Sequence, residues 1–277
     1  MSSIHTIAKA WRYPPTEPSA WNAYHSLELQ DVQVPAPGRG EVLVKMRAVA
    51  LNSRIFPAEF LLPVPDHLSY EEAASVICVG TTAFNALFET ESITPDSTVL
   101  VLGGGGVSVL GAQLAKAAGA RVIATTSSEE KVEKYKALGV DHVINYREVP
   151  NWADEVKKVT GGEGVDRVLD IGRKGTLLEA VKSIKLNGVV QVIGASKDEA
   201  PATALFDLAV ALVFSRGKIN GITPGGKDVA QRLDSFISKH KLKPAFDSKV
   251  FRWEEAREAY DYFQSGAHFG KVVIRID

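Results

Sequence analysis

The chain has few of the features that would place it outside a reducing compartment. It holds one cysteine, Cys78, so an intrachain disulfide is excluded. Its first residues, MSSIHTIAKAW, lack the apolar core of a secretory leader. No uninterrupted apolar run approaches the roughly 18 residues of a membrane span. Net charge is -1, which gives no basis for a polyanionic partner such as nucleic acid. Histidine is scarce too: six residues, none at paired metal-ligand spacing. These absences predict a cytoplasmic protein with no membrane and no nucleic-acid partner.

What is present is an ordinary globular composition, 45% hydrophobic and 23% charged. A length of 277 residues suits one large or two medium domains.

The most informative stretch is 98–126, TVLVLGGGGVSVLGAQLAKAAGARVIATT. An apolar run ends in four glycines, Gly103 to Gly106; a helical pattern follows, then a second apolar run from Arg121. Strand, glycine turn, helix and strand in that order form a dinucleotide-binding motif. The turn lets the backbone of Gly103, Gly105, Gly106 and Val107 approach a pyrophosphate. The helix start adds free N–H groups and a positive dipole end. Ser108 stands at the third motif position, small enough for close packing.

From Thr98 the same unit repeats. Strands are predicted at 98–102, 121–125, 141–145, 165–171, 188–193 and 217–222. Helices are predicted near 106–118, 128–138, 151–160, 175–184 and 202–212. Nearly continuous apolar strands (VLVL, VVQVIG) belong to sheets covered on both faces. Alternating β and α units of this length give a doubly wound parallel sheet, the Rossmann α/β class. Ser127 and Glu130 have capping-box spacing, and Gly119 and Gly139 sit at helix stops.

The ends of the chain read differently. Residues 26–34 and 41–50 alternate with period two around a Pro35-Ala36-Pro37-Gly38 turn, which predicts antiparallel β. A strand near 248–252, a helix at 253–265 and the run Gly270 to Ile276 close the chain. The predicted layout is a small β domain, 1–75, completed by 246–277, around a nucleotide-binding domain at 76–245.

Six segments taken together resemble one family: PAPGRGEVLVKMRAVALN, PDHLSYEEAASVICVGTTAFNAL, the glycine motif, ALGVDHVINYRE, GGEGVDRVLDIG and EEAREAYDYFQSGAHFGKVVIRI. The chain is similar to the medium-chain dehydrogenase/reductase superfamily, in its zinc-free alcohol dehydrogenase-like and quinone oxidoreductase-like branch. The resemblance implies a GroES-like β domain joined to a Rossmann domain. It also implies NADP(H) in the cleft and hydride transfer to an activated alkene, quinone or carbonyl.

The comparison exposes a gap. Relatives carry several dozen residues between the segment ending in ALN and the one beginning PDHLS. Here only Ser53 to Val64 lies between Asn52 and Pro65. The GroES-like domain is therefore expected to be truncated. Two readings stay open: an incomplete gene product with an incomplete site, or a natural minimal form with an open cleft.

Zinc-dependent relatives hold a catalytic metal with three protein ligands. Cys78 falls at one of those positions, the first falls near Asn52 to Arg54, and the second is deleted. One ligand does not make that site, so no metal is expected and Cys78 reads as an apolar filler.

NAD-binding folds grip the ribose 2′-hydroxyl with an acid at the end of the second strand. Here the stretch is Ala124-Thr125-Thr126-Ser127-Ser128, with no carboxylate. Thr126, Ser127, Ser128 and nearby Lys131 would accept a 2′-phosphate, which predicts NADP(H). The plain alternative is that Ser127 caps a helix and Lys131 is solvated. Tyr146 matches a family tyrosine near the adenosine phosphate.

Ligands of open α/β sheets lie beyond the carboxyl ends of the strands, here Gly172, Gly194 and Ile222. Thr82 matches a family position near the nicotinamide, with a helix-start hydroxyl as the plain alternative. Phe269 and Lys271 match a segment that closes over the cofactor. Asn52 is retained and could touch the substrate or the nicotinamide amide. The family's tyrosine one residue later is Ser53 and its aspartate is Ile55, so no side-chain acid is assigned. The expected activity is NADPH-dependent reduction of a small carbonyl, enone or quinone. The alternative is an NADP(H)-binding protein that has lost hydride transfer and serves as a sensor, partner subunit or non-redox catalyst. A homodimer is expected through the short edge strand near Lys218 to Ile222.

Overall fold

A computed structural model of the chain describes residues 7–34, 44–50, 62–171, 175–194 and 202–276. The described chain begins with β1 (Ile7–Arg12), β2 (Glu28–Gln33) and β3 (Ala48–Ala50). Strands β1 and β2 pair antiparallel over their full length. The alternation at 26–34 and 41–50 suggests one hairpin, but β2 takes β1 as its partner, and β3 joins the C-terminal strand described below. Antiparallel pairing holds, while the neighbours differ. Alternation reports a half-buried face and not which strand lies alongside.

Helix α1 (Tyr70–Phe84) follows. Ser69 starts it with a reciprocal capping box: Glu72 N–H donates to Ser69 Oγ at 3.2 Å, and Ser69 N–H donates to Glu72 Oε2 at 2.7 Å. The helix runs on into a π-helical turn, Asn85–Glu89. Arg167 secures that exit by donating to the carbonyls of Ala86 (2.7 Å) and Glu91 (2.8 Å). A cation suits the negative end of a helix dipole, although burial holds this guanidinium below its usual pKa.

The parallel sheet comprises β4 (Thr98–Leu102), β5 (Arg121–Thr126), β6 (His142–Asn145), β7 (Val165–Asp170), β8 (Ile184–Ile193) and β9 (Lys218–Ile222), in the order β6-β5-β4-β7-β8-β9. Each predicted strand is present, and every pairing is parallel. The order reverses between β4 and β7, so the crevice beyond their carboxyl ends is the switch point where such sheets take ligands. The helices between strands are α2 (Gly106–Ala117), α3 (Glu129–Ala137), α4 (Trp152–Val159), α5 (Thr176–Ser183) and α6 (Ala202–Ser215). After β9 come α7 (Lys227–His240), β10 (Val250–Arg252), α8 (Ala256–Ser265) and β11 (Val273–Arg275).

Period-two alternation sorts each strand between two cores. Val99 and Val101 pack with Leu110, Leu114, Leu233 and Ile237 on one face. Leu100 and Leu102 pack with Trp152, Val156, Val181 and Val190 on the other. Burial on both faces is why these strands read as continuous apolar runs.

Both chain ends build the smaller sheet, β10-β11-β3. Its core is modest: Phe251, Ala256, Ala259, Val272 and Ile274, flanked by Trp11, Val49 and Tyr260. The β1–β2 pair docks through Trp11, whose indole N–H donates to Trp253 O at 2.8 Å, and through Arg257, which donates to Leu27 O. Among the described residues no helix is long and apolar enough to cross a membrane.

One predicted cap is corrected. Helix α3 begins at Glu129 with Ser128 as N-cap, and no side chain caps it. Strand β5 runs one residue further than predicted, to Thr126, which moves the helix start past the Ser127–Glu130 spacing. Glu130 instead pairs with Lys134 at 2.7 Å.

Candidate dinucleotide site

The glycine turn connects β4 to α2 at the switch point. Gly103 has φ +77°, a left-handed conformation that costs glycine nothing. Its N–H donates to Thr125 O at 2.9 Å, and its carbonyl accepts Tyr135 O–H at 2.5 Å. Gly105 is the N-cap of α2, so no side chain satisfies the first N–H groups of that helix. A Cβ on Gly105 would meet only Ile171 Cδ1, at 4.0 Å. The approach to those N–H groups is therefore open. Ser108, buried at the third motif position, donates its hydroxyl to Leu102 O at 2.6 Å and ties α2 to β4.

The C-terminal segment lies on this turn. Gly270 N–H donates to Gly104 O at 2.9 Å. Phe269 is buried and meets Tyr135 edge-on, 4.9 Å between centroids. A Cβ on Gly106 would meet Lys271 Cγ at 2.9 Å and Val79 Cγ1 at 3.2 Å, which places the Lys271 stem between α1 and the start of α2. Burial pushes the Lys271 ammonium below its usual pKa, with Cys78 acting in the opposite direction.

At the end of β5, Thr126 is fully buried, and its Oγ1 has no hydrogen-bond partner among the described residues. An orphaned buried hydroxyl is costly unless a ligand or water completes it. Its carbonyl accepts the N–H of Tyr146, which lies exposed beyond β6. Ser127 and Ser128 are half-buried beside it. Lys131 is 9% exposed; its ammonium donates to Gly266 O at 2.7 Å, and its stem covers Gly104 beside Phe269. Burial lowers its pKa, helped by the charges of Lys134 and Arg147. The charges around Lys131 are mixed, with Lys134 and Arg147 against Glu130 and Asp247, while the stretch from Ala124 to Ser128 carries no acid.

Other positions are more dispersed. Thr82 lies near the C-terminal end of α1, not at a helix start, and donates to Cys78 O at 2.8 Å. Cys78 is half-buried on the same helix, less enclosed than an apolar filler. Gly194 ends β8 with φ +80°. Ile222 ends β9, with its side chain in the core. Asn52 and Gly172 lie outside the described residues. Among the described residues no group of three or more His, Cys, Asp or Glu side chains could hold a metal ion.

The structure also brings in residues the sequence reading did not name. Tyr135 fixes the turn from α3, at helical spacing from Lys131. Arg147 adjoins Tyr146 beyond β6 and adds its charge to the edge. Asp247 supports the C-terminal segment. Only Arg147 had a sequence signal, its position next to a residue already singled out.

Comparisons with known proteins agree with this fold. The family model for Zinc-binding dehydrogenase matches residues 106–239. A zinc-type alcohol dehydrogenase-like protein of Schizosaccharomyces pombe is 37% identical over 225 residues, covering 80% of this chain and 65% of that protein. A 2-haloacrylate reductase of Burkholderia sp is 30% identical, covering 80% of this chain and 69% of that protein. A crystal structure from Sinorhizobium meliloti 1021, given a provisional description as an alcohol dehydrogenase, superposes with a TM-score of 0.82 at 25% identity. It covers 99% of this chain and 100% of its own. The chain spans 62–65% of the length of several curated relatives.

Proposed function

The chain belongs to the medium-chain dehydrogenase/reductase superfamily, and on that premise we propose that it is an NADPH-dependent oxidoreductase reducing a small carbonyl, enone or quinone without a protein-bound zinc. The observation that carries this reading is the end of β5. A buried, unpartnered Thr126 hydroxyl, two serines and the Lys131 side chain fit a 2′-phosphate, and the stretch from Ala124 to Ser128 holds no carboxylate to grip a ribose hydroxyl instead. The bound nicotinamide would supply the hydride. The protein's part is to hold and orient. The N–H groups opening α2 receive the pyrophosphate through the open approach at Gly105, and Phe269 and Lys271 close the turn. Thr82, Gly194 and Ile222 flank the nicotinamide end. Asn52 and Gly172 belong to the same proposal on sequence grounds.

An activated alkene fits both the site and the relatives, one of which is a haloacrylate reductase. Hydride addition to an enone or quinone needs no positioned side-chain acid, because solvent can deliver the proton. Zinc independence rests on the ligand set: Cys78 has no two further ligands beside it among the described residues.

The second reading is nucleotide binding without hydride transfer. The short Ser53–Val64 link, where relatives carry several dozen residues, favours it. NADPH oxidation over a panel of enones, quinones and aldehydes separates the two. Turnover on any acceptor supports the reductase; NADPH binding with no turnover on the panel supports the second reading.

The assembly we propose is a homodimer across the β9 edge. Helix α6, which packs on α5 and β8 and leads into β9, exposes apolar side chains in the single chain, with Phe206 73% and Phe214 80% exposed.

A further inference from the structure

Asp247 matches no motif, yet the C-terminal segment is built around it. It is 2% exposed. Its Oδ2 accepts the N–H of Phe269 at 2.8 Å. Its Oδ1 accepts the N–H of Lys249 at 2.9 Å. The Tyr262 hydroxyl reaches both oxygens at 3.2 Å. On the main chain, Asp247 N–H donates to Lys271 O at 2.9 Å. The side chain thus fixes Phe269 and the backbone fixes Lys271. Between them, Gly270 donates to the glycine turn at Gly104 O.

The support for Asp247 leads back to α2. Gln113 donates from Nε2 to Lys243 O and accepts Ala245 N–H at Oε1, both at 2.8 Å. Gly270 threads closely past this stretch: with φ +78°, a Cβ there would meet Ala245 O at 2.9 Å. A continuous set of contacts therefore runs from α2 through Gln113, residues 243–245 and Asp247 to Phe269–Lys271. It ends on the turn that opens the same helix.

Among the described residues the hydrogen bonds to the Asp247 side chain come from neutral donors. A buried carboxylate is costly unless its hydrogen bonds are made, and a mutation that loses one leaves an unpaired buried group. The Asp247 charge also supports the Lys131 ammonium against burial.

We propose that Asp247 is a positioning residue for the dinucleotide site. It sets Phe269 and Lys271 over the glycine turn, where the pyrophosphate and nicotinamide half of the cofactor lies. This rests on the NADPH reading above. Its consequence is graded: a ligand spanning the turn needs the Asp247 hydrogen bonds, while one confined to the adenosine edge meets Asp247 only through its charge at Lys131.

The test is Asp247→Asn, which keeps the shape but sets an NH2 group against a backbone N–H. Binding of NADPH and of adenosine 2′-monophosphate is measured by calorimetry on wild type and variant. NADPH affinity is expected to fall at least tenfold, a difference of about 1.4 kcal/mol. Affinity for adenosine 2′-monophosphate is expected to hold or rise, because the variant removes a negative charge that acts at Lys131. In the ligand-free variant, amide exchange at Phe269 and Gly270 is expected to quicken, with the sheet amides unchanged. Tyr262→Phe, which leaves both backbone contacts, is expected to bind NADPH within twofold of wild type. Unchanged NADPH affinity in a folded Asp247→Asn protein, or equal losses for both ligands, would overturn the proposal. Wild type that binds neither nucleotide would overturn the NADPH reading itself, and this inference with it. If Asp247→Asn does not fold, Gln113→Ala replaces it with the same supporting and overturning results.

Discussion

The parallel sheet and the smaller β region are built from the same chain by different means. The sheet buries two apolar layers, with Leu100, Leu114, Ile123 and Leu169 essentially inaccessible. The smaller region has a five-residue buried core, and its outlying strand residue Ile7 is 55% exposed. Area removed from water drives folding. The sheet should therefore hold more of the stability, and the smaller region should lean on its docking to the sheet. The proposed cofactor site lies on their seam, where the C-terminal segment meets the glycine turn.

The largest effect should come from the sheet. Leu169→Ala should cost about 2–5 kcal/mol and lower the single melting transition. Phe251→Ala should cost less globally, because the smaller region can open alone. Hydrogen exchange checks this: amides of β10, β11 and α8 should exchange faster while those of β4 and β7 stay protected. Matching loss of protection in the sheet would show the two regions to be one cooperative unit.

On the seam, Gly105→Val should fold normally, since open space surrounds that position. It should also abolish stabilisation by NADPH, about 2.7 kcal/mol at a hundredfold excess over Kd. Retained stabilisation in a thermal-shift assay would put the ligand elsewhere.

Lys271→Met should separate stability from binding. Burial lowers the ammonium pKa in the folded protein below its ordinary 10.5, so the unfolded chain binds that proton more tightly. Wild-type stability therefore rises with pH from the lowered value up to about 10.5. The methionine variant lacks this titration, so the stability of wild type relative to the variant should rise as pH climbs toward 10.5, and the variant should bind NADPH less well. Melting curves at several pH values check the sign.

The smallest intramolecular effect belongs to α6. Phe214→Glu should leave the melting of the single chain nearly unchanged, because the ring is exposed. It should weaken the proposed dimer. Light scattering near the 29.9 kDa chain mass for wild type at micromolar concentration would contradict that assembly.

The same contrast explains what could be read from the sequence. In the sheet, local pattern and tertiary environment agree. Apolar runs such as Val99–Leu102 are buried on both faces, and left-handed Gly119 and Gly139 end α2 and α3. At the chain ends the pattern gave faces but not neighbours, so β2 and β3 found partners that no local signal names. The cofactor turn was legible because its glycines carry the chemistry. Asp247 and Tyr135 were not, because their roles depend on contacts 22 and 32 residues away in sequence. The Ser127 cap failed for a smaller reason: one extra strand residue shifted the helix start.

The central claim is that the edge at Thr126, Ser127, Ser128 and Lys131 receives a 2′-phosphate. Thermal stabilisation of the wild-type protein by NADPH and by NADH at matched concentration tests it most directly. A clearly larger shift with NADPH is the predicted result; equal shifts, or a larger one with NADH, would contradict it.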